Sequence, residues 1–267
     1  MARAASAALS AADHELLGAA SLDVAVAGRR LVEGLNFAVA AGQFVCVLGA
    51  NGAGKSLTFH TLAGLRPAAA GSVRLCGRAL GDWPRRERAR RLGLLTQISE
   101  DPFPGTVLDA VLVGRHPHVN LWNWESEADV EVARAALAAC DLAGLEERAI
   151  DTLSGGERRR VALAAVLAQD PDVLLLDEPQ NHLDPHHQLD VLKLLRARAD
   201  NGRAVLATLH DPSLAARFAD QVLLLYGDGR WAWGDTATTL TAAALSAMYQ
   251  VAVEEVLVGG RRLFLSD

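Results

Sequence analysis

The stretch Phe44-Val-Cys-Val-Leu-Gly49-Ala-Asn-Gly52-Ala-Gly54-Lys55-Ser56 decides the reading of this chain. Its five leading apolar residues suit a strand buried on both faces. Gly49 ends the run, and a helical pattern starts near Lys55. Between them lies G-x-x-x-x-G-K-[ST], in the strand-to-helix context that this motif requires. Glycines there let backbone N–H groups point inward onto phosphate oxygens, and the helix N-terminus adds partial positive charge. Gly49, Ala50, Asn51, Gly52, Ala53, Gly54, Lys55, Ser56 and Leu57 are therefore the candidate nucleotide-binding residues. Lys55 is expected to reach the β- and γ-phosphates, and the Ser56 hydroxyl to ligate Mg²⁺.

Two further motifs lie downstream. Val173-Leu-Leu-Leu-Asp177-Glu178-Pro179 reads as a buried strand delivering two carboxylates at its C-terminal end, where open α/β sheets bind ligands. Asp177 suits a Mg²⁺ shell, and Glu178 is placed to polarise an attacking water. Leu153-Ser154-Gly155-Gly156-Glu157 opens a helix and offers a second anion-binding end. A simple helix cap is the plainer reading of that stretch. One chain cannot easily bring both cradles to one nucleotide, whereas two copies arranged head to tail can.

Composition sets the frame. The chain has 267 residues and a formal net charge of −6 at pH 7. That length allows one large or two small domains with a buried core. Charged residues are 22% and apolar ones 51%, which indicates a globular chain rather than a disordered one. The acidic balance argues against a nucleic-acid partner. Cys46, Cys76 and Cys140 form no C-x-x-C pair, which excludes a disulfide scaffold or zinc ribbon and suits a reducing compartment. The longest apolar run, Val161 to Ala168, has eight residues, against the ~18 that a membrane span needs. His116 with His118, and His186 with His187, invite a metal reading but lack the accompanying Cys or carboxylate ligands. Arg85, Arg86, Arg88, Arg90 and Arg91 read as a solvated basic face. Trp122 and Trp124, with His118, are expected to be half core and half surface, with a docking patch as the functional alternative.

Patterning away from the motifs alternates β and α. Leu22 to Ala27, Leu35 to Val39, Ser72 to Cys76 and Leu92 to Leu95 read as strands. Pro84 suits the start of a helix running to Arg91. Helical spacing dominates from about 98 to 160, where Thr106 with Asp109 and Ser126 with Asp129 read as capped helix starts. From Val173 the β/α rhythm returns. Gly259-Gly260 then joins two strands as a hairpin. The expected organisation is a loose extension at 1–15, an α/β domain at 16–250 with a helical insert, and a C-terminal β-hairpin extension at 251–267.

In order and spacing, the three motifs with the helical insert between them resemble the nucleotide-binding subunits of ATP-binding cassette (ABC) transporters. The likeness covers about residues 16–250. It implies an α/β P-loop NTPase fold of ABC type, with an antiparallel β subdomain and a helical subdomain. ATP and Mg²⁺ are the implied cofactors, with Ser56, Gln97 and Asp177 at the metal. Glu178, His210 and Lys55 are the implied catalytic residues, and Asp184 matches a loop that crosses the dimer interface. Ser154, Gly155, Gly156 and Glu157 would close in trans over the partner's γ-phosphate. The implied partners are a second copy head to tail, integral membrane permease subunits and, through the permease, a substrate-binding protein, with no nucleic acid. The implied place is peripheral, on the cytoplasmic face of the inner membrane.

Within the family, Gln97 to Gly114, Val113-Gly-Arg-His-Pro-His and Leu-Ser-Gly-Gly-Glu-Arg resemble importers of iron–siderophore, haem and cobalamin. Cobalamin is the first expectation for the cargo, narrowly ahead of a ferric siderophore. A soluble ABC ATPase of the iron–sulfur assembly type and a non-transport regulatory module are the alternatives. Four departures from the family pattern stand out: Glu157 for a common glutamine, Leu57 for a hydroxyl, Gln180 for Thr or Ser, and no aromatic in residues 21–31 to stack on adenine. Val26 or Ala27 falls at that last position, with Arg29 and Arg30 nearby.

Overall fold

The computed structural model describes residues 15–97, 105–119 and 124–266. Two twelve-residue strands, β1 (Glu15–Val26) and β2 (Arg29–Ala40), open it. Both outrun the short strands that the alternation suggested. Ala27 and Gly28, at φ 48° and 80°, form the tight turn between them, a doubly left-handed geometry that matches strand twist. Glu15 already belongs to β1, so residue 15 leaves the expected loose extension; the rest of that extension lies outside the described residues. After β3 (Phe44–Gly49) and α1 (Lys55–Leu62), β4 (Ala70–Leu75) and β5 (Arg78–Ala79) return to β1, giving an antiparallel sheet in the order β2–β1–β4–β5.

The basic helix α2 (Arg85–Arg91) leads into β6 (Leu92–Leu95). No residue of this helix is buried, as a solvated face requires, yet several of its arginines also find partners. Arg86 and Arg90 donate to the Pro117 carbonyl at 2.9 and 2.7 Å, and Arg91 pairs with Asp172 at 3.0 Å while lying over the Trp83 ring. Three helices follow: α3 (Val107–Leu112), α4 (Glu127–Ala139) and α5 (Gly155–Ala168). Thr106 with Asp109 and Ser126 with Asp129 form the two capping boxes read from the sequence. Arg115 ties the helices together, donating to Asp129 at 2.9 Å and to the Ala168 carbonyl at 2.7 Å. Trp124 is 91% exposed, not half core; Trp122 lies outside the described residues.

Then come β7 (Val173–Leu176), α6 (Pro185–Asp200), β8 (Ala204–Thr208), α7 (Pro212–Phe218) and β9 (Gln221–Leu225). The main sheet runs β10–β9–β3–β8–β7–β6, parallel except for β10 (Trp231–Asp235), an antiparallel edge strand that the sequence reading missed. Its interior strands are buried on both faces, which explains their unbroken apolar runs. In β3, Phe44, Cys46 and Leu48 join the core beneath α5 and α6, while Val45 and Val47 join the core under the antiparallel sheet and α1. Two short helices, α8 (Thr236–Thr239) and α9 (Ala242–Tyr249), precede the hairpin of β11 (Val253–Val258) and β12 (Arg261–Ser266). Val253 and Phe264 pack the hairpin on the main core, and the Phe264 N–H donates to Ser213 Oγ at 3.1 Å.

The short turn before His116 lies hard against α5. A Cβ on Gly114 would sit 2.0 Å from the Ala165 carbonyl oxygen, whereas one on Gly81 meets nothing within 4 Å. Gly114→Ala should therefore destabilise the chain by ~1–3 kcal/mol through forced backbone movement. Gly81→Ala should stay within ~0.5 kcal/mol of the parent. Urea unfolding of the two variants beside the parent checks both.

Candidate functional site

The polar groups gather where the parallel strands end. Between β3 and α1, Gly52 and Gly54 take φ of 78° and 98°, a region that L side chains avoid. Gly49 is required for a different reason: a Cβ there would lie 2.7 Å from the Leu225 carbonyl oxygen. The Lys55 ammonium is buried and curls back onto the loop, donating to the Gly49 and Ala50 carbonyls at 2.7 and 3.3 Å. Burial pulls its pKa down, opposed by the nearby Glu178 and Asp177 charges.

At the end of β7, Glu178 is buried and held at φ 51°. A left-handed glutamate is costly and persists where its surroundings over-determine it. Four groups do so. The Glu178 N–H donates to Thr208 Oγ1 at 2.7 Å, and the Thr208 hydroxyl donates to Asp177 Oδ1 at 2.7 Å. Gln97 Nε2 donates to Glu178 Oε2 at 2.9 Å, and the Asn181 amide donates to the same oxygen. His210 Nε2 lies 2.7 Å from Oε1. Gln97 was expected at Mg²⁺ and His210 among the catalytic residues; here both side chains converge on the Glu178 carboxylate.

One cleft of about 790 Å³ takes in Lys55, Ser56, Gln97, Glu178 and His210, together with Arg29. Val26 and Ala27 also face it. The Arg29 guanidinium is tethered by donation to the Gly227 carbonyl at 2.8 Å. Arg30 turns away, pairing with Glu33 at 2.6 Å.

Ser154, Gly155, Gly156 and Glu157 do not line that cleft. With Asp184 and His187 they line a second concavity of about 500 Å³. Ser154 caps α5: its Oγ accepts from the Glu157 N–H at 3.2 Å, and the Glu157 carboxylate accepts from the Ser154 N–H at 2.8 Å. Hydrogen bonds to its carboxylate from the Ser154 N–H and then from the Ser154 side chain hold the Glu157 carboxyl below the ordinary carboxylate range. Glutamate serves this capping box as glutamine would. Asp184 in turn caps α6, accepting from the His187 N–H at 3.0 Å and from its ring at 2.7 Å.

The sequence reading missed three residues here. Thr208 and Asn181 carry no motif of their own. Arg159 does leave a trace: it stands four and seven residues before the buried Leu163 and Val166, on the face of α5 that should be apolar.

A family model described as ABC transporter matches residues 32–181. The Hemin import ATP-binding protein HmuV of Gloeobacter violaceus is 47% identical over 218 residues, covering 79% of this chain and 78% of that protein. Its namesake from Streptomyces coelicolor is 43% identical over 247 residues, covering 91% and 87%. A solved structure described as an inward-facing metal-chelate type ABC transporter superposes with a TM-score of 0.82 at 28% identity, covering 95% of this chain and 98% of that one. The chain belongs to the ABC transporter family, as one of its ATP-hydrolysing subunits.

Proposed function

We propose that this chain drives haem import by hydrolysing ATP at two composite sites shared between two copies arranged head to tail. One observation carries the shared site: the phosphate cradle and the Ser154 helix end open into two separate concavities of the same chain. A second copy, turned around, would bring its Ser154 end over the first copy's cradle. Relatives named for hemin import support the cargo, and lend cobalamin only loose support. The partners are permease subunits and, through them, a substrate-binding protein. No helix among the described residues is long and apolar enough to cross a membrane. Relatives named as import ATP-binding proteins support action from the cytoplasmic face of a membrane partner. The domain limits proposed are the ATPase unit to residue 250 and the hairpin beyond it.

The glycine loop would hold the triphosphate, with Lys55 swinging from its two carbonyls to the β- and γ-oxygens. The Ser56 hydroxyl and the buried Asp177 carboxylate are hard oxygen donors of the kind Mg²⁺ takes. The ion, when bound there, neutralises developing phosphate charge. Glu178 accepts the proton of the attacking water. Gln97, Asn181 and His210 hold its carboxylate in line, and positioning of this kind supplies much of the rate in phosphoryl transfer. Asp184 lies beside the Ser154 end, where a shared interface would run.

Glu178→Gln keeps the shape and removes the base. Turnover should fall by ~10²–10⁴, with ATP binding retained and an ATP-bound dimer trapped. Steady-state hydrolysis and gel filtration with ATP check this; retention of more than about a tenth of the activity contradicts the role assigned. Lys55→Ala and Ser154→Arg should each be inactive alone. Their mixture should regain activity through one intact composite site, and no recovery between folded, associating variants contradicts sharing. For the cargo, the chain reconstituted with the permease that co-purifies should show haem-stimulated hydrolysis. Stimulation by cobalamin or a ferric siderophore in its place reassigns it.

The base end of the cleft offers Val26 and the tethered Arg29 where an aromatic would stack. Base–aromatic stacking in nucleic-acid complexes is worth about 1–3 kcal/mol. GTP should therefore compete well with ATP, and Val26→Tyr should tighten ATP several-fold with little change in kcat. Ala27 is the poorer site for the same test because its φ of 48° disfavours a bulky side chain. Competition binding with labelled ATP reads both effects; strong rejection of GTP by the parent, with no gain from Val26→Tyr, contradicts them.

A further inference from the structure

Arg159 is 5% exposed, on the first turns of α5. Its bonds run to main-chain carbonyls. One terminal nitrogen donates to Thr96 O at 2.6 Å and, at 3.4 Å, to Gln97 O, just past β6. The other donates to the carbonyls of Asp177 and Glu178, just past β7, the latter at 2.9 Å. Its Nε is buried without a partner. Burial pulls the guanidinium pKa down, opposed by Asp177 and Glu178. A buried cation is a poor device for stability, and apolar replacements of similar volume are often as stable or more so. What the guanidinium adds is a rigid fork able to span two strands at once.

The place of the fork is what matters. Arg159 follows the Ser154 cap by five residues, roughly 7.5 Å along one helix. The carbonyls it holds belong to the residues whose side chains meet in the cleft, Gln97 and Glu178. We propose that Arg159 is a positioning residue that joins the Ser154 end of α5 to the backbone of Glu178 and Gln97. A partner closing on α5 then sets the geometry of the carboxylate belonging to the neighbouring site. Each copy's hydrolysis is thereby tied to engagement of both its sites, and the two sites fire cooperatively. This rests on Glu178 acting as the base of a shared-site ATPase.

The test uses the full chain carrying Arg159→Met, which keeps volume and loses the fork, and Arg159→Lys, which keeps the charge on a single nitrogen. Arg159→Met should fold, bind labelled ATP within about twofold of the parent, lose at least tenfold in kcat and hydrolyse with a Hill coefficient near 1. Arg159→Lys should not restore kcat or cooperativity. Parent-like kcat and cooperativity in Arg159→Met, or restoration by Arg159→Lys, overturns the inference. If neither variant folds, amide hydrogen exchange of the parent decides. On adding ATP and Mg²⁺, peptides covering 92–97, 155–165 and 173–178 should gain protection together; a response of 173–178 without 155–165 overturns it. Glu178→Gln run alongside separates the two claims. If that variant still turns over, the catalytic reading fails; if it is inactive while Arg159→Met is not, only the role of Arg159 fails.

Discussion

A parallel sheet covered on both faces leaves little room for charge. β3, β7, β8 and β9 carry apolar residues toward both cores, so polar chemistry is driven to the edge where the strands stop. Two of those stops are built alike. β3 runs into the glycine loop and β7 into Asp177 and Glu178, and β8 lies between them in the sheet. Thr208, closing β8, then bonds the main chain of one carboxylate residue and the side chain of the other. The packing that makes the strands insoluble in water therefore also brings the phosphate cradle beside the carboxylates.

The same edge accounts for the oddities of the site. Glu178 sits in a left-handed conformation that nothing local favours. It persists because Gln97, Asn181, His210 and Thr208, from four segments, agree on one position for it. Arg159 lies behind this cluster and donates to main-chain carbonyls just past the ends of β6 and β7. A helix carrying the second anion-binding end is thereby pinned to the first site's catalytic residues, although the two ends open in different concavities.

Departures from the common family pattern take on physical meaning in this setting. Glu157 for glutamine leaves the α5 cap intact, because either side chain can accept from the Ser154 N–H. The missing aromatic has a neighbour of the opposite kind, Arg29, fastened to Gly227. Gly227 itself comes close to the phosphate loop: a Cβ on it would lie 3.1 Å from the Ala53 Cα. The base end and the phosphate end of the cleft are thus joined through the turn after β9.

Several things were determined by the sequence itself. The apolar run into Gly49-Ala-Asn-Gly52-Ala-Gly54-Lys55-Ser56 specified a buried strand, a phosphate loop and a helix, because each piece is local: hydrophobic continuity, glycine dihedrals, a helix N-terminus. The capping boxes at Thr106 and Ser126 were legible for the same reason. Other features answer to contacts distant in sequence. β10 pairs with a finished edge, the α2 arginines find carbonyls 27–33 residues away, and Arg159 reaches carbonyls 18–63 residues away. No local pattern announces such partners, since these groups come within reach of one another only once the chain has folded. The residues of the chemistry were therefore written in the motifs, while their mutual aim was decided by the tertiary structure, through hydrogen bonds between segments that only the assembled sheet brings within reach.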